Sequence, residues 1–381
     1  MPKNYRRHLV AIGLACPVLA VGLVPLSASA APTASQSYVV RFVDGTDAKA
    51  KAEKASGDGM RVARVYSHAL SGMAADLTPA QAARLASDPS VASIERDARA
   101  RAFGTETAAP WGLDRIDQAK LPLSGTYTWG ADGAGVKAYV IDTGVWAGHA
   151  DLAGRVATGY DAVDLDGDAT DCHGHGTHVA GTVAGTTYGV AKGATVVPVR
   201  VLDCSGFGTT SEIIAGIDWA VEDHGTEPAV ANMSLGGSAS QAIDAAVQAL
   251  IDDGVTLAVA AGNDFANGCL YSPARVRAAI TVSASTITDH AAAFSSTGPC
   301  VDLFAPGENI TSAGLASPTA SLTMSGTSMA TPHVTGAAAI LAGQHPTWTP
   351  AQISAAIVKS ATKNALTGVD RETPNKLLRV G

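Results

Sequence analysis

Apolar positions in Ser37-Tyr38-Val39-Val40-Arg41-Phe42 lean toward the period of two that marks a β-strand. Residues 48–55, rich in Ala and Lys, follow as a short helix, and 61–65 and 73–77 read as two more strands. Thr78-Pro79 opens a helix running to Ala86, and 91–95 forms a last strand. The order βαββαβ describes a small α+β unit. Asp97 to Ala109 then reads as a small, polar linker suited to cutting. From residue 111 the pattern changes. Short β-branched runs at 136–142, 195–202, 230–234 and 256–261 alternate with helical stretches such as 211–224 and 238–253. Such alternation predicts an α/β domain, a mostly parallel sheet flanked by helices on both faces. Its chemistry belongs at the carboxyl ends of strands. Asp142 falls at such an end, and Ser328 precedes a helix expected over 330–342.

The first 30 residues set the compartment. Lys3, Arg6 and Arg7 form a positive start, residues 9–26 are apolar, and Ala28-Ser29-Ala30 is an A-x-A cleavage site. Pro17, Pro25 and the small residues that close the stretch favour a removed signal peptide over a membrane anchor. Cys16 lies inside the apolar stretch, too early for a lipoprotein site. No later segment is long and apolar enough to span a bilayer, so no membrane association is expected after export. Charge then divides the chain unevenly. Residues 31–103 hold 10 Lys/Arg against 8 Asp/Glu, whereas residues 104–381 hold 13 against 26, a net of −13. An acidic domain without a basic stripe or aromatic platform excludes nucleic acid as the expected partner; it suits bound cations and solubility.

Three runs carry the chemistry: Val140-Ile141-Asp142-Thr143-Gly144, Gly174-His175-Gly176-Thr177-His178 and Gly326-Thr327-Ser328-Met329-Ala330. A carboxylate, an imidazole and a hydroxyl, each among small residues, are the parts of a Ser-His-Asp hydrolase. Ser328 would be the nucleophile, His175 the general base and then acid, and Asp142 the group that orients the imidazole. No G-x-G-x-x-G follows a strand, and neither a G-x-x-x-x-G-K-[ST] loop nor H-E-x-x-H occurs. The absence of a G-x-S-x-G elbow disfavours an esterase or lipase. A zinc cluster of Cys172, His173, His175 and His178 is the competing reading, since thiolate and imidazoles are the right ligand types. Against it, an exported protein with four remaining cysteines (Cys172, Cys204, Cys269, Cys300) reads as disulfide-bonded, with three possible connectivities. An inactive binding relative should lack a catalytic residue, and none is missing.

In the order Asp, His, Ser these motifs resemble the subtilisin-like serine proteases, and within them the proteinase K branch to which aqualysin also belongs. The resemblance covers nearly the whole chain. It implies a signal peptide at 1–30, an inhibitory, ferredoxin-like propeptide at 31–103 and a catalytic domain at 104–381. The new N-terminus would lie a few residues before Pro110-Trp111-Gly112-Leu113, near 102–105. The propeptide's C-terminal strand would stay in the cleft as an inhibitor. The resemblance pairs Cys172 with Cys204 and Cys269 with Cys300. It assigns Asn263, in Ala260-Ala261-Gly262-Asn263, to an oxyanion hole together with the backbone N–H of Ser328. Ser234-Leu235-Gly236 and Ala260-Ala261-Gly262 correspond to the walls of the primary pocket, and Ser205-Gly206-Phe207-Gly208 to the strand that pairs with substrate.

No carboxylate lies in either pocket wall, so cleavage after apolar or aromatic residues is expected, with protein or peptide substrates and a monomeric enzyme. Structural Ca²⁺ is implied at Asp302 with the carbonyls of Arg277 and Ala279. A second site matches Asp161 and Asp166, and a third Asp114, Asp117 and Gln118, although Ser124 stands where some relatives have Asp. Ser272-Pro273 would be cis, as in relatives. The implied function is that of a secreted serine endopeptidase made as a zymogen. Because its base must be neutral, activity should favour neutral to alkaline pH.

Overall fold

The computed structural model describes residues 35–97, 99–102 and 110–380. The expected signal peptide and residues 103–109 lie outside them. The chain begins with β1 (Gln36–Phe42), α1 (Ala48–Gly57), β2 (Arg61–Tyr66), β3 (Gly72–Leu77), α2 (Pro79–Ala86) and β4 (Val91–Arg96). These form an antiparallel sheet of order β2-β3-β1-β4. Asp47 accepts the N–H of Ala50 at the start of α1, and Thr78 with Gln81 builds a reciprocal capping box on α2. Period two then divides the burial. Val40, Phe42, Met73, Ala75 and Leu77 pack with Ala48, Ala52 and Ala55 of α1. Their alternates Val39 and Ala74 join a cluster with Ile213, Ile214 and Ile243 of the following domain. One face of the small sheet therefore covers its own helix and the other is docked.

The linker expected from Asp97 begins later than the composition suggests. Arg99–Ala102 is a strand, β5. It is followed by α3 (Trp111–Ile116), β6 (Lys137–Asp142), β7 (Tyr160–Asp161), α4 (His175–Ala184), β8 (Thr195–Arg200), β9 (Phe207–Thr209) and α5 (Thr210–Asp223). Next come β10 (Ala229–Met233), β11 (Leu235–Ser238), α6 (Gln241–Asp252), β12 (Thr256–Ala260), β13 (Tyr271–Ser272), β14 (Ile280–Ser285) and β15 (Leu303–Pro306). The remainder is β16 (Ile310–Ala313), β17 (Ser321–Met324), α7 (Thr327–Gln344), α8 (Pro350–Ser360), β18 (Thr362–Lys363) and β19 (Lys376–Leu377). The large sheet has the order β18-β19-β15-β14-β12-β10-β6-β8-β7 and is parallel apart from the β18–β19 edge. α4, α7 and α8 cover one face, with Val179, Val183, Val334 and Ile353 in the core. α5 and α6 cover the other, through Ile213, Ile217, Val247 and Leu250. A sheet covered on both faces needs apolar residues at every position, and β10 and β12 are buried throughout.

The small domain is held by carboxylates at helix starts. Glu95 accepts the N–H groups of Gln241 and Ala242, each at 3.0 Å, and the hydroxyl of Ser240 at the start of α6. Asp97 accepts the N–H of Ser211 at 2.7 Å and its hydroxyl at the start of α5. Both anions meet the positive end of a helix dipole. In return, Asp218 of α5 accepts three successive N–H groups, from Ser67, His68 and Ala69, at 3.2, 2.6 and 2.6 Å. Burial pushes its carboxyl upward, and those three bonds work against the rise.

Candidate active site

Parallel strands deliver their side chains to one edge, and the three motif residues collect there. Asp142 ends β6 and His175 opens α4. The Nδ1 of His175 lies 2.7 Å from the Oδ1 of Asp142, with both side chains buried. Oδ1 also accepts the N–H of Thr143 at 2.7 Å, while the buried Oδ2 has no hydrogen-bond partner among the described residues. A buried carboxylate left half-satisfied is unfavourable by itself. Its negative charge is thereby available to an imidazolium beside it.

The turn before α4 has no side-chain cap at Gly174, whose φ of 102° lies in the left-handed region that glycine tolerates. Asp171 supplies the cap from three residues upstream. Its Oδ2 accepts the N–H and hydroxyl of Thr177 at 2.8 and 2.7 Å. Its Oδ1 accepts the N–H groups of His173 and Gly174 and the hydroxyl of Thr143, each at 2.9 Å. Thr143 in turn accepts the N–H of Gly176 at 2.9 Å. One buried carboxylate thus ties the end of β6 to the start of α4, and so Asp142 to His175.

Ser328 is the second residue of α7, which starts at Thr327 rather than near 330. Pro332 lies four residues further on and has no N–H, so the carbonyl of Ser328 is left out of the helical ladder. The hydroxyl of Ser234 takes it at 2.8 Å, and the hydroxyl of Ser328 donates to the carbonyl of Ser234 at 3.1 Å. Asn232 Nδ2 donates to Ser234 Oγ at 2.9 Å, and Thr335 holds Asn232 at 3.0 Å. A buried polar network therefore fixes the first turn of α7 on the end of β10. Asn263 is fixed as well. Its Oδ1 accepts the N–H and hydroxyl of Thr327 at 2.8 and 2.9 Å, which leaves Nδ2 as the donor. Sequence reasoning singled out neither Asp171 nor Thr327; an acid three residues before a glycine-capped helix, and a threonine beside the nucleophile, were the available signals.

The remaining candidates divide by what their side chains do. Cys172 is bonded to Cys204 and Cys269 to Cys300, the pairing the resemblance implied, and the Ser272–Pro273 bond is cis. His178 is buried, its Nε2 2.9 Å from the carbonyl of Ile310, and burial pushes its pKa down to about 3. With Cys172 oxidised and His178 committed, the zinc reading loses two of its ligands; among the described residues no group of three His, Cys, Asp or Glu side chains converges to hold a metal. Asp161 is paired with Arg200 at 2.8 Å and Asp166 bonds the N–H of Asp168. Asp114 accepts from Ser124 and Gly125, Asp117 from Thr128, and Gln118 bridges Lys120, Pro122 and Ser124. Asp302 differs. It is half-buried, burial pushes its carboxyl upward against the pull of Lys376 and Arg277, and among the described residues it accepts the N–H of Thr281 at 2.9 Å and no other hydrogen bond.

Substrate-binding candidates Ser234, Leu235, Gly236, Gly206 and Gly208 flank a filled cleft. β5 pairs antiparallel with β11 (Leu235 with Ala102, Gly236 with Arg101) and with β9 (Arg99 with Thr209, Ala100 with Gly208, Arg101 with Phe207). A segment of the chain itself is the central strand of a small sheet that ends at Ser234. Ala260, Ala261 and Gly262 continue β12 toward Asn263 beside it. Backbone pairing of this kind reads main chain and accepts many sequences.

Residues 133–374 match the subtilase family model, and residues 23–102 match the peptidase inhibitor I9 model. The chain is 56% identical over 321 residues to an extracellular serine proteinase of Thermus sp. (strain Rt41A), an alignment covering 84% of this chain and 78% of that one. It is 52% identical over 260 residues to alkaline serine exoprotease A of Vibrio alginolyticus, covering 67% of this chain and about half (48%) of that one. A cold-adapted subtilisin-like serine proteinase of known crystal structure superposes with a TM-score of 0.70 at 51% identity, over 72% of this chain and 99% of that chain.

Proposed function

The chain belongs to the subtilase family, and from that premise we propose that it is a secreted serine endopeptidase, made as a zymogen and working through Asp142, His175 and Ser328. The observation that carries this reading is the buried 2.7 Å contact of His175 with Asp142 at the strand end where α7 presents Ser328. The hydroxyl of Ser328 attacks the substrate carbonyl as His175 takes its proton, and the charged imidazole is held by Asp142. The resulting oxyanion faces Asn263 Nδ2 and the N–H of Ser328 at the positive end of α7. His175 then protonates the leaving amine, and water releases the acyl group by the reverse sequence.

β5 stands in for a substrate. Arg101 lies opposite Gly236 and Ala102 opposite Leu235, and Ser234, which precedes Leu235 in the chain, is the partner of Ser328. The register supports processing of the bond after residue 103, which makes 31–103 the inhibitory propeptide and Phe103 its terminal side chain. A Phe there agrees with a preference for apolar or aromatic residues before the cleaved bond. The expected result is that the secreted, processed protein hydrolyses a peptide anilide with Phe before the bond far faster than its Lys counterpart. Its rate should rise from pH 5 to pH 8 as the imidazole loses its proton. A maximum near pH 5, or equal rates for Phe and Lys, overturns this reading.

Calcium is proposed at Asp302 with the carbonyls of Arg277 and Ala279. A half-buried carboxylate with one N–H donor and no ion-pair partner among the described residues suits a hard cation with oxygen ligands. The carboxylates of the second and third sets are already committed to Arg200 or to backbone and hydroxyl donors, and those sets fit the ion less well. A chelator should lower the melting temperature by about 5–10 °C. Asp302→Asn should remove that sensitivity, and an unchanged chelator response in the variant dismisses the site.

A further inference from the structure

His173 is the exposed neighbour of the buried His175, their ring centroids 6.3 Å apart, and the mechanism gives it no task. Its position is fixed from two sides. Its backbone N–H is held by Asp171 at 2.9 Å, and the adjacent Cys172 is bonded to Cys204, two residues before Gly206. A Cβ placed on Gly206 would lie 3.1 Å from the His173 Nε2, so the ring sits against the end of β9. Continuing the pairing of Arg101 with Phe207 by one residue sets the backbone of Ala102 opposite Gly206. The substrate residue aligned with Ala102, one place before the position that faces Ser234 in the β11 register, therefore passes between Leu235 on one side and Gly206 with His173 on the other.

The charged side chains nearby are occupied. Asp203 bonds the N–H groups of Ser205 and Phe207 at 2.8 and 3.0 Å. Arg200 is paired with Asp161 and Asp164 at 2.8 and 2.7 Å, and Asp171 is buried with five hydrogen bonds. The His173 ring, in contrast, has no hydrogen-bond partner among the described residues. We propose that His173 is a specificity-determining residue that reads the substrate side chain second before the cleaved bond, favouring a hydrogen-bond acceptor, above all a carboxylate, over Lys or Arg. This inference rests on the protease reading of the site. The chain's own sequence has Ala at 102, a side chain with no hydrogen-bonding group, so a substrate with Asp at that position has a contact available that alanine cannot make.

The catalytic domain's net charge of −13 gives the preference a demanding test, because its general field attracts Lys rather than Asp. Four peptides, identical except for Asp, Asn, Ala or Lys at that position, are compared by kcat/KM at pH 7 and 0.1 M salt with the processed enzyme. The wild type should cleave the Asp peptide about five- to tenfold faster than the Lys peptide. His173→Ala should bring the ratio within about twofold, and His173→Asp should invert it. A wild-type ratio within twofold, or one that persists in His173→Ala, overturns the proposal; the wild-type ratio decides it even if neither variant is secreted. Cleavage of all four peptides at equal rates removes this inference alone, whereas cleavage of none removes the protease reading with it.

Discussion

Ser328→Ala is expected to be secreted with residues 31–103 still attached and to hydrolyse peptides at no more than about a millionth of the wild-type rate, a magnitude taken over from the loss seen when subtilisin is stripped of the same group. The size of the effect follows from what the hydroxyl does. Without it no acyl-enzyme forms, and the oxyanion donors can act only on a water attack that nothing positions. The same deletion removes self-processing, since β5 already lies between β9 and β11 with its register leading to Ser234. Intact masses of the two secreted proteins are the measurement. Wild type should begin at residue 104, and the variant should remain longer by the whole propeptide. A variant processed like wild type would mean that another protease does the cutting. A variant as active as wild type would remove Ser328 from the mechanism. Ser328 also holds α7 to β10 through Ser234, but the carbonyl half of that exchange survives in alanine, so the fold is expected to persist.

Asn263→Ala is expected to lower kcat by about 10²–10³ with little change in KM, the range being that of the corresponding donor in subtilisin. The side chain is oriented before substrate arrives, because Thr327 spends both its N–H and its hydroxyl on Asn263 Oδ1. The amide N–H groups therefore need no reorganisation when charge develops, and their effect falls on the transition state rather than on binding. Burst and steady-state kinetics on one peptide ester separate the two. A rise in KM with kcat unchanged would make Asn263 a substrate-positioning group. Thr327→Val, which keeps the shape and loses the hydroxyl, should produce a smaller fall in kcat of the same kind.

Much of the architecture was legible because it is local. Period two in 37–42 and 73–77, the Thr78-Pro79 start and the β-branched runs at 136–142 and 256–261 all became the expected elements, with ends displaced by one or two residues. The misses share a cause. Arg99–Ala102 alternates Arg with Ala over only four residues, too short and too weakly apolar to stand out, and it is a strand because two other strands offer it their N–H and C=O groups. α7 begins three residues early because Asn263 and Ser234 satisfy the N–H of Thr327 and the carbonyl of Ser328, and neither partner is near in sequence. Asp171 looked like one more acid in an acidic loop; its five bonds exist only once β6 and α4 meet.

What the sequence by itself determined about this protein is the inventory of chemistry: a carboxylate, an imidazole and a hydroxyl in glycine-rich settings, four cysteines for two bonds, and an order of strands and helices that makes a parallel sheet. Residue type and short-range spacing carry such information because rotamers, caps and periodicity act within a few residues. The tertiary structure alone decided which of these groups work together. It brought Asp142 within 2.7 Å of His175 across 33 residues and committed Asp161 to Arg200. It oriented Asn263 through a threonine 64 positions away and laid β5 in the cleft. Those outcomes depend on hydrogen bonds and buried charges whose partners are distant in the chain, and their strength comes from the exclusion of water that only the assembled sheet and helices provide.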